Sequence, residues 1–209
     1  MKMKEAVDSV APDQNKKSVL IACGPPFAAK WLVPRLHEFL KHYPDLDVNI
    51  ASSFKKQDYV SKEVDIGIRL SNDDDKSLER VWVGEETMLV LASPNFIREQ
   101  NITSPCDLAR VPLLLEENSA ALLHAPSWRD WFFQAGVTEE VLERGISFGV
   151  YEEQALDAAI AGAGVVLGRK VLASNDMFNN KLVCPFGPEL PSGVKYQIVF
   201  RKNLAMSDS

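Results

Sequence analysis

Apolar and polar positions along this chain alternate between two periods, and the switch is clearest near the start. Val19 to Ala22 is a short apolar run closed off at once by Gly24. It is too brief for a usual helix and reads as a buried strand. Pro25 and Pro26 cannot extend it. From Trp31 the spacing changes: Leu32, Leu36, Phe39, Leu40 and Tyr43 fall on one face of an amphipathic helix. Pro34 suits a helix start, where its missing N–H lacks a partner in any case, so the pattern predicts a helix that begins just before Pro34 and ends at Pro44. Val48 to Ala51 resumes as strand. Strand, crossover and strand make a βαβ unit, whose two strands run parallel.

The same reading continues down the chain. Phe54, Tyr59 and Val60 have helical spacing, and Ile66, Ile68 and Leu70 alternate with Asp65, Gly67 and Arg69 as in a strand. Val81 to Val83 and Met88 to Ala92 are two strands or one bent strand, halted at Pro94. Ser104-Pro105-Cys106-Asp107 opens a short helix, and Ser127 opens an aromatic-rich one, with Trp128, Trp131 and Phe132, that Gly136 ends. Val111 to Leu115, Ile146 to Val150, Val165 to Leu167, Leu182 to Cys184 and Val194 to Phe200 are the remaining apolar runs, with a helix over Tyr151 to Ala161. A second alternation of strands and helices predicts a second parallel sheet, hence two lobes of α/β type.

Composition removes several function classes. The net charge is -6 and the pI near 5.2, which argues against this chain binding nucleic acid by itself, because counterion release from phosphates needs a basic face. No run approaches the roughly 18 apolar residues of a membrane helix, and the polar first 17 residues lack the apolar core of a secretion signal, so a cytoplasmic location and no membrane partner are expected. Cys23, Cys106 and Cys184 are odd in number and widely spaced, so they read as small buried hydrophobes rather than a disulfide frame or zinc site. The acidic turn Asn72 to Asp75 reads as a solvated loop.

Cofactor and nucleophile motifs fail on position. Gly162-Ala163-Gly164 through Gly168 has the wrong spacing for a dinucleotide fingerprint, and it follows a helix where the fingerprint precedes one. It reads as a helix C-terminus with close packing. His37, His42 and His124 adjoin no nucleophile motif. No cofactor, metal or catalytic residue is therefore assigned. What remains is a set of loops that βαβ geometry sends to strand carboxyl ends: Gly24 to Phe27, the turn with Arg69, the residues from Glu116, Tyr151 with Glu152 and Glu153, and Gly168-Arg169. Helix N-termini with Arg69 suit a carboxylate-bearing ligand; the plain alternative for Arg69 is a surface ion pair with Asp65 or Glu63. An enzyme using Glu116 or Glu152 as a base is a further hypothesis.

The segments WLVPRL, HYPDLDVNI and DIGIRL, within a match that runs from about Ser18 to about Lys202, resemble the effector-binding region of LysR-type transcriptional regulators, in the branch of the glycine-cleavage and β-lactamase activators. The resemblance implies two Rossmann-like lobes joined by two crossover segments near Ser93 and Ser192, in the manner of a type 2 periplasmic binding protein. Lobe I would be 18–92 plus 194–205, lobe II 93–193, and 1–17 the remnant of a linker helix. It implies effector contacts in the inter-lobe cleft from Gly24, Pro25 and Pro26 before Phe27-Ala28, from Tyr151 and Glu152, and from Tyr196, beside Arg69 and Glu116. Two prolines stand where relatives often have Gly-Thr or Ser, so a different effector is expected, and an amine could use Glu152. The implied partners are a small amino acid, peptide or carboxylate-like effector and a second copy of the chain, as homodimer or homotetramer, with Trp31 to Tyr43 a candidate contact face. DNA would be reached only through a winged helix-turn-helix that this chain lacks. The alternative of the same architecture, a solute-binding protein of a transport system, would require export.

Overall fold

The computed structural model describes residues 18–53, 64–72, 76–116, 125–137, 145–149 and 152–201. Phe54, Tyr59, Val60, Glu63, Asp73 to Asp75, His124, Tyr151 and the expected linker remnant lie outside them. The chain divides into two compact units: Met1–Ala28, Leu32–Glu85 and Val194–Ser209 form the first, Ala29–Trp31 and Glu86–Gly193 the second.

In the first unit β1 (Ser18–Cys23) pairs in parallel with β2 (Asp47–Ser52) and with β3 (Ile66–Leu70). Val19, Ile21 and Ile66 are buried, as their positions in the apolar runs require. The connection from β1 to β2 is α1, made of Pro25–Phe27, a π turn at Ala28–Leu32 and Val33–His42. The helix therefore starts nine residues before Pro34, and the expected tight loop is its first turn, with Gly24 as N-cap in an extended conformation. A proline inside a regular helix collides with the carbonyl four residues back. Here the Val33 N–H bonds to the Ala28 carbonyl, one residue further back than usual, and this wider turn admits Pro34 without ending the helix. Within Val33–His42 no residue is fully buried: Leu36, Phe39 and Leu40, with Tyr43 after them, are half-buried.

The last strand, β8 (Leu190–Arg201), runs antiparallel to β3, with Ile66 opposite Phe200, Ile68 opposite Ile198 and Leu70 opposite Tyr196. Val194 to Phe200 thus pairs with a strand of the first unit.

The second unit follows β4 (Leu78–Leu91), one continuous strand. After it come α2 (Pro94–Glu99), a 3-10 turn (Pro105–Arg110), β5 (Leu113–Glu116), α3 (Trp128–Gln134), β6 (Ser147–Phe148), α4 (Glu152–Ile160), β7 (Val165–Arg169) and α5 (Lys170–Phe178). Strand order in this unit is β4-β7-β5-β6. β5 is parallel to β6 and β7, but β4 is antiparallel to β7, with Val90 opposite Leu167, so the expected all-parallel sheet is a mixed one. The reason is that β4 enters from the first unit without a crossover helix to set its direction. Leu182 to Cys184 is no strand: Val183 makes a single bridge to Ala92.

The core of the second unit gathers Met88, Val90, Ala92, Leu108, Leu113, Val165 and Leu167 around Trp128, Trp131 and Phe132. Trp131 is fully buried, and its Nε1 donates to the Pro188 carbonyl at 2.8 Å, so its polar edge is satisfied as its rings fill the core. Gly162 closes α4 at φ +83°, and a Cβ on Gly164 would lie 2.5 Å from the Pro112 carbonyl oxygen. Gly162 thus supplies the left-handed turn, where a Cβ would meet only ordinary contact, and Gly164 alone serves the expected close packing. Of the cysteines only Cys23 is buried; Cys106 is exposed and Cys184 half-buried.

Candidate functional site

Six of the residues singled out from the sequence lie on neighbouring elements of the first unit. Parallel pairing sets Cys23 opposite Ile68, so Gly24 and Arg69 follow side by side at the carboxyl ends of β1 and β3. Arg69 lies opposite Gln197 on β8, and Leu70 opposite Tyr196. Pro25, Pro26 and Phe27 are the first turn of α1, and the Phe27 ring packs on Tyr196 with centroids 5.0 Å apart. Phe27 and Tyr196 are buried, while Gly24, Pro25 and Arg69 are half-buried. The Gln197 amide, also buried, donates to the Ser71 carbonyl, and the Ser71 N–H bonds to the Lys195 carbonyl at 2.9 Å, which ties the end of β3 to β8. A helix start usually offers an anion several N–H groups. Pro25 and Pro26 have none, so the start of α1 is apolar rather than an amide cradle, and Arg69, paired with Gln197, leaves β3 on the face away from Tyr196.

The remaining candidates belong to the second unit. Glu116 ends β5 and pairs with Phe148 on β6; Tyr151 lies outside the described residues. Glu152 begins α4 and is 1% exposed. Its carboxylate accepts from the Arg169 backbone N–H at 2.9 Å and takes the Arg169 guanidinium through both Nε and a terminal nitrogen. Glu152 is thus held by Arg169, and an amine ligand would have to compete with that guanidinium. Glu153, beside it, is half-buried, and burial pushes its carboxyl above the ordinary value.

Two features escaped the sequence reading. Lys30, in the π turn, is 12% exposed and reaches Asp157 on α4 at 2.5 Å and Asp176 on α5 at 3.1 Å, all within the second unit. Burial opposes its charge, and the two carboxylates more than offset it, so the ammonium is held above its ordinary value. A helix read as starting after Lys30 hid this contact. The second is Glu86, buried on β4, whose carboxylate accepts from the Val171 N–H at 3.1 Å. Period-two alternation with Met88 and Val90 was a usable signal for its burial.

Among the described residues no group of His, Cys, Asp or Glu could hold a metal ion, and no helix is long and apolar enough to cross a membrane.

The chain matches known proteins along most of its length. A glycine cleavage system transcriptional activator of Escherichia coli (strain K12) is 30% identical over 201 residues, covering 94% of this chain and 63% of that protein, so the chain spans less than two thirds of that relative. The effector domain of the transcriptional regulator AmpR of Pseudomonas aeruginosa has the same fold at a TM-score of 0.66 and 23% identity, covering 92% of this chain and 89% of the other. CrgA, a LysR-type transcriptional regulator from Neisseria meningitidis, superposes at a TM-score of 0.67 with 18% identity, over 98% of this chain and 68% of the other. With the LysR substrate binding domain matching residues 12–208, the chain belongs to that family, as an effector-binding domain of a LysR-type transcriptional regulator.

Proposed function

We propose that this domain senses a small amino acid, peptide or carboxylate-like effector through Gly24, Pro25, Pro26, Phe27, Arg69 and Tyr196 of its first unit. The observation that supports this is the placement of these six at the carboxyl ends of β1 and β3, where open α/β sheets place ligands. Arg69 supplies the charge for a carboxylate, and Phe27 with Pro26 an apolar wall. Effector binding shifts the balance between conformations by its differential affinity for them. The relatives named above are transcriptional regulators, which favours a sensor without catalysis, acting in the cytoplasm as a homodimer or homotetramer and reaching DNA through a winged helix-turn-helix in the whole protein. They lend nothing to a transport role.

A thermal-shift screen of amino acids, short peptides and small carboxylates on this chain tests the reading, repeated with Arg69→Met and Tyr196→Phe. A compound that raises the midpoint of the parent chain and loses its effect in Arg69→Met is the expected result. Equal shifts in all three proteins would reject the assigned contacts.

A further inference from the structure

Glu86 opens the main segment of the second unit, on the strand that carries the chain into it. It faces the same side of β4 as Met88 and Val90, and is 1% exposed. One oxygen, Oε1, accepts from the Thr87 N–H at 2.9 Å and from the Val171 N–H at 3.1 Å. The other, Oε2, is fully buried and has no hydrogen-bond partner among the described residues. Val171 is the second residue of the nine-residue α5, whose N-cap, Arg169, makes no side-chain cap. Glu86 therefore caps α5 from a different strand.

The charges around this carboxyl do not balance. Arg169, at the end of β7, acts favourably on it, but that guanidinium already donates through two nitrogens to Oε2 of Glu152 on α4, and Glu152 repels Glu86. Two neighbouring charges are paired elsewhere: Lys170 with Glu189 at 2.9 Å, and Glu85 with Lys195 at 3.0 Å. Glu153 of α4 is half-buried and adds no positive charge. With both acids ionised, Glu86, Glu152 and Arg169 form a buried group of net charge -1; one proton makes it neutral. An unbalanced charge out of water is costly, whereas a neutral carboxyl keeps its carbonyl oxygen for the two N–H groups.

We propose that Glu86 is a proton-binding site of this domain, and that losing the proton weakens the seat of β4 on the start of α5. Burial, the largest influence, pushes its carboxyl from the ordinary 4.5 up to about 7, against the pull of the Val171 and Thr87 N–H groups and of Arg169. The folded chain then holds this proton across the interval between those values while the unfolded chain has released it. Stability from this group is fully present below the lower value and declines as pH rises to the upper one.

The test uses the 209-residue chain labelled with carboxyl-13C glutamate, titrated by NMR beside Glu86→Gln and Glu152→Gln. One carboxyl resonance should titrate near neutrality and be missing in Glu86→Gln, and its midpoint should fall in Glu152→Gln, where Arg169 is released to Glu86. In parallel, thermal midpoints from pH 5 to pH 8 should drop by several degrees more in the parent chain than in Glu86→Gln. A midpoint in the ordinary carboxylate range, an unchanged midpoint in Glu152→Gln, or parallel melting profiles would each overturn the proposal.

Discussion

The rings of Phe27 and Tyr196 pack with centroids 5.0 Å apart and planes tilted by 40°, joining the first turn of α1 to the last strand of the chain. Both are buried, so each carries packing energy as well as position. Phe27→Ala and Tyr196→Ala should each cost about 3–5 kcal/mol in urea unfolding. The double variant should cost less than the two added together, by roughly 0.5–1.5 kcal/mol, which is the ring-on-ring coupling. Strict additivity would show that the rings do not support each other.

Arg169 is 12% exposed and Glu152 1%, and two guanidinium nitrogens grip the one carboxylate oxygen Oε2. Removing one partner strands the other charge out of water. Arg169→Met should destabilise the domain by roughly 3–5 kcal/mol, and adding Glu152→Gln should restore a good part of that loss, since the lone buried charge is then gone. Chemical denaturation of the two variants measures it, and an unrescued double variant would show that Arg169 acts by packing alone.

Gly164 and Gly136 look alike in sequence but differ in physics. A Cβ at position 164 would meet backbone, the Pro112 carbonyl oxygen at 2.5 Å, which cannot turn aside. Gly136 has open space around it and a φ of +71°. Gly164→Ala should therefore cost about 1–3 kcal/mol through overpacking, and Gly136→Ala about 1 kcal/mol through the left-handed backbone alone. Thermal unfolding that ranks them in the opposite order would contradict this.

Asp107 and Asp130 close two capping boxes, over Ser104 and Ser127. The Thr103 and Ser104 N–H groups at 2.9 Å hold the Asp107 carboxyl well below the ordinary 3.8, and the Ser127 hydroxyl and N–H lower that of Asp130. Their contribution is complete above the unfolded value and is lost as pH falls toward the folded one. Asp107→Asn should leave less stability to lose below pH 4, visible as a shallower drop in thermal midpoint on acidification. An unchanged slope would count against these caps.

Local chemistry carried some elements from the sequence intact. The capping box at Ser104, the helix start at Ser127, the period-two strand Ile66–Leu70 and the helix end at Gly136 depend on residues within a few positions of each other, and each stands where the pattern put it. Local rules misled where a distant group intervened. Pro34 was a sound signal for a helix start, yet a π turn upstream absorbs it. Pro94 signals only a strand stop in the sequence, whereas Ser93, accepting from the Phe96 N–H, makes it the first residue of α2. Helix α5 went unseen because its cap comes from Glu86, 85 residues earlier.

The candidate site divides in the same way. The glycine and prolines after β1, and the arginine near the end of β3, could be named from the sequence because strand carboxyl ends follow from periodicity. That Tyr196 lies on Phe27, that Arg169 occupies Glu152 and that Glu86 is left with a buried oxygen are matters of strand register and helix placement. Such contacts join positions far apart along the chain, so the energies that decide them exist only once the sheets have formed.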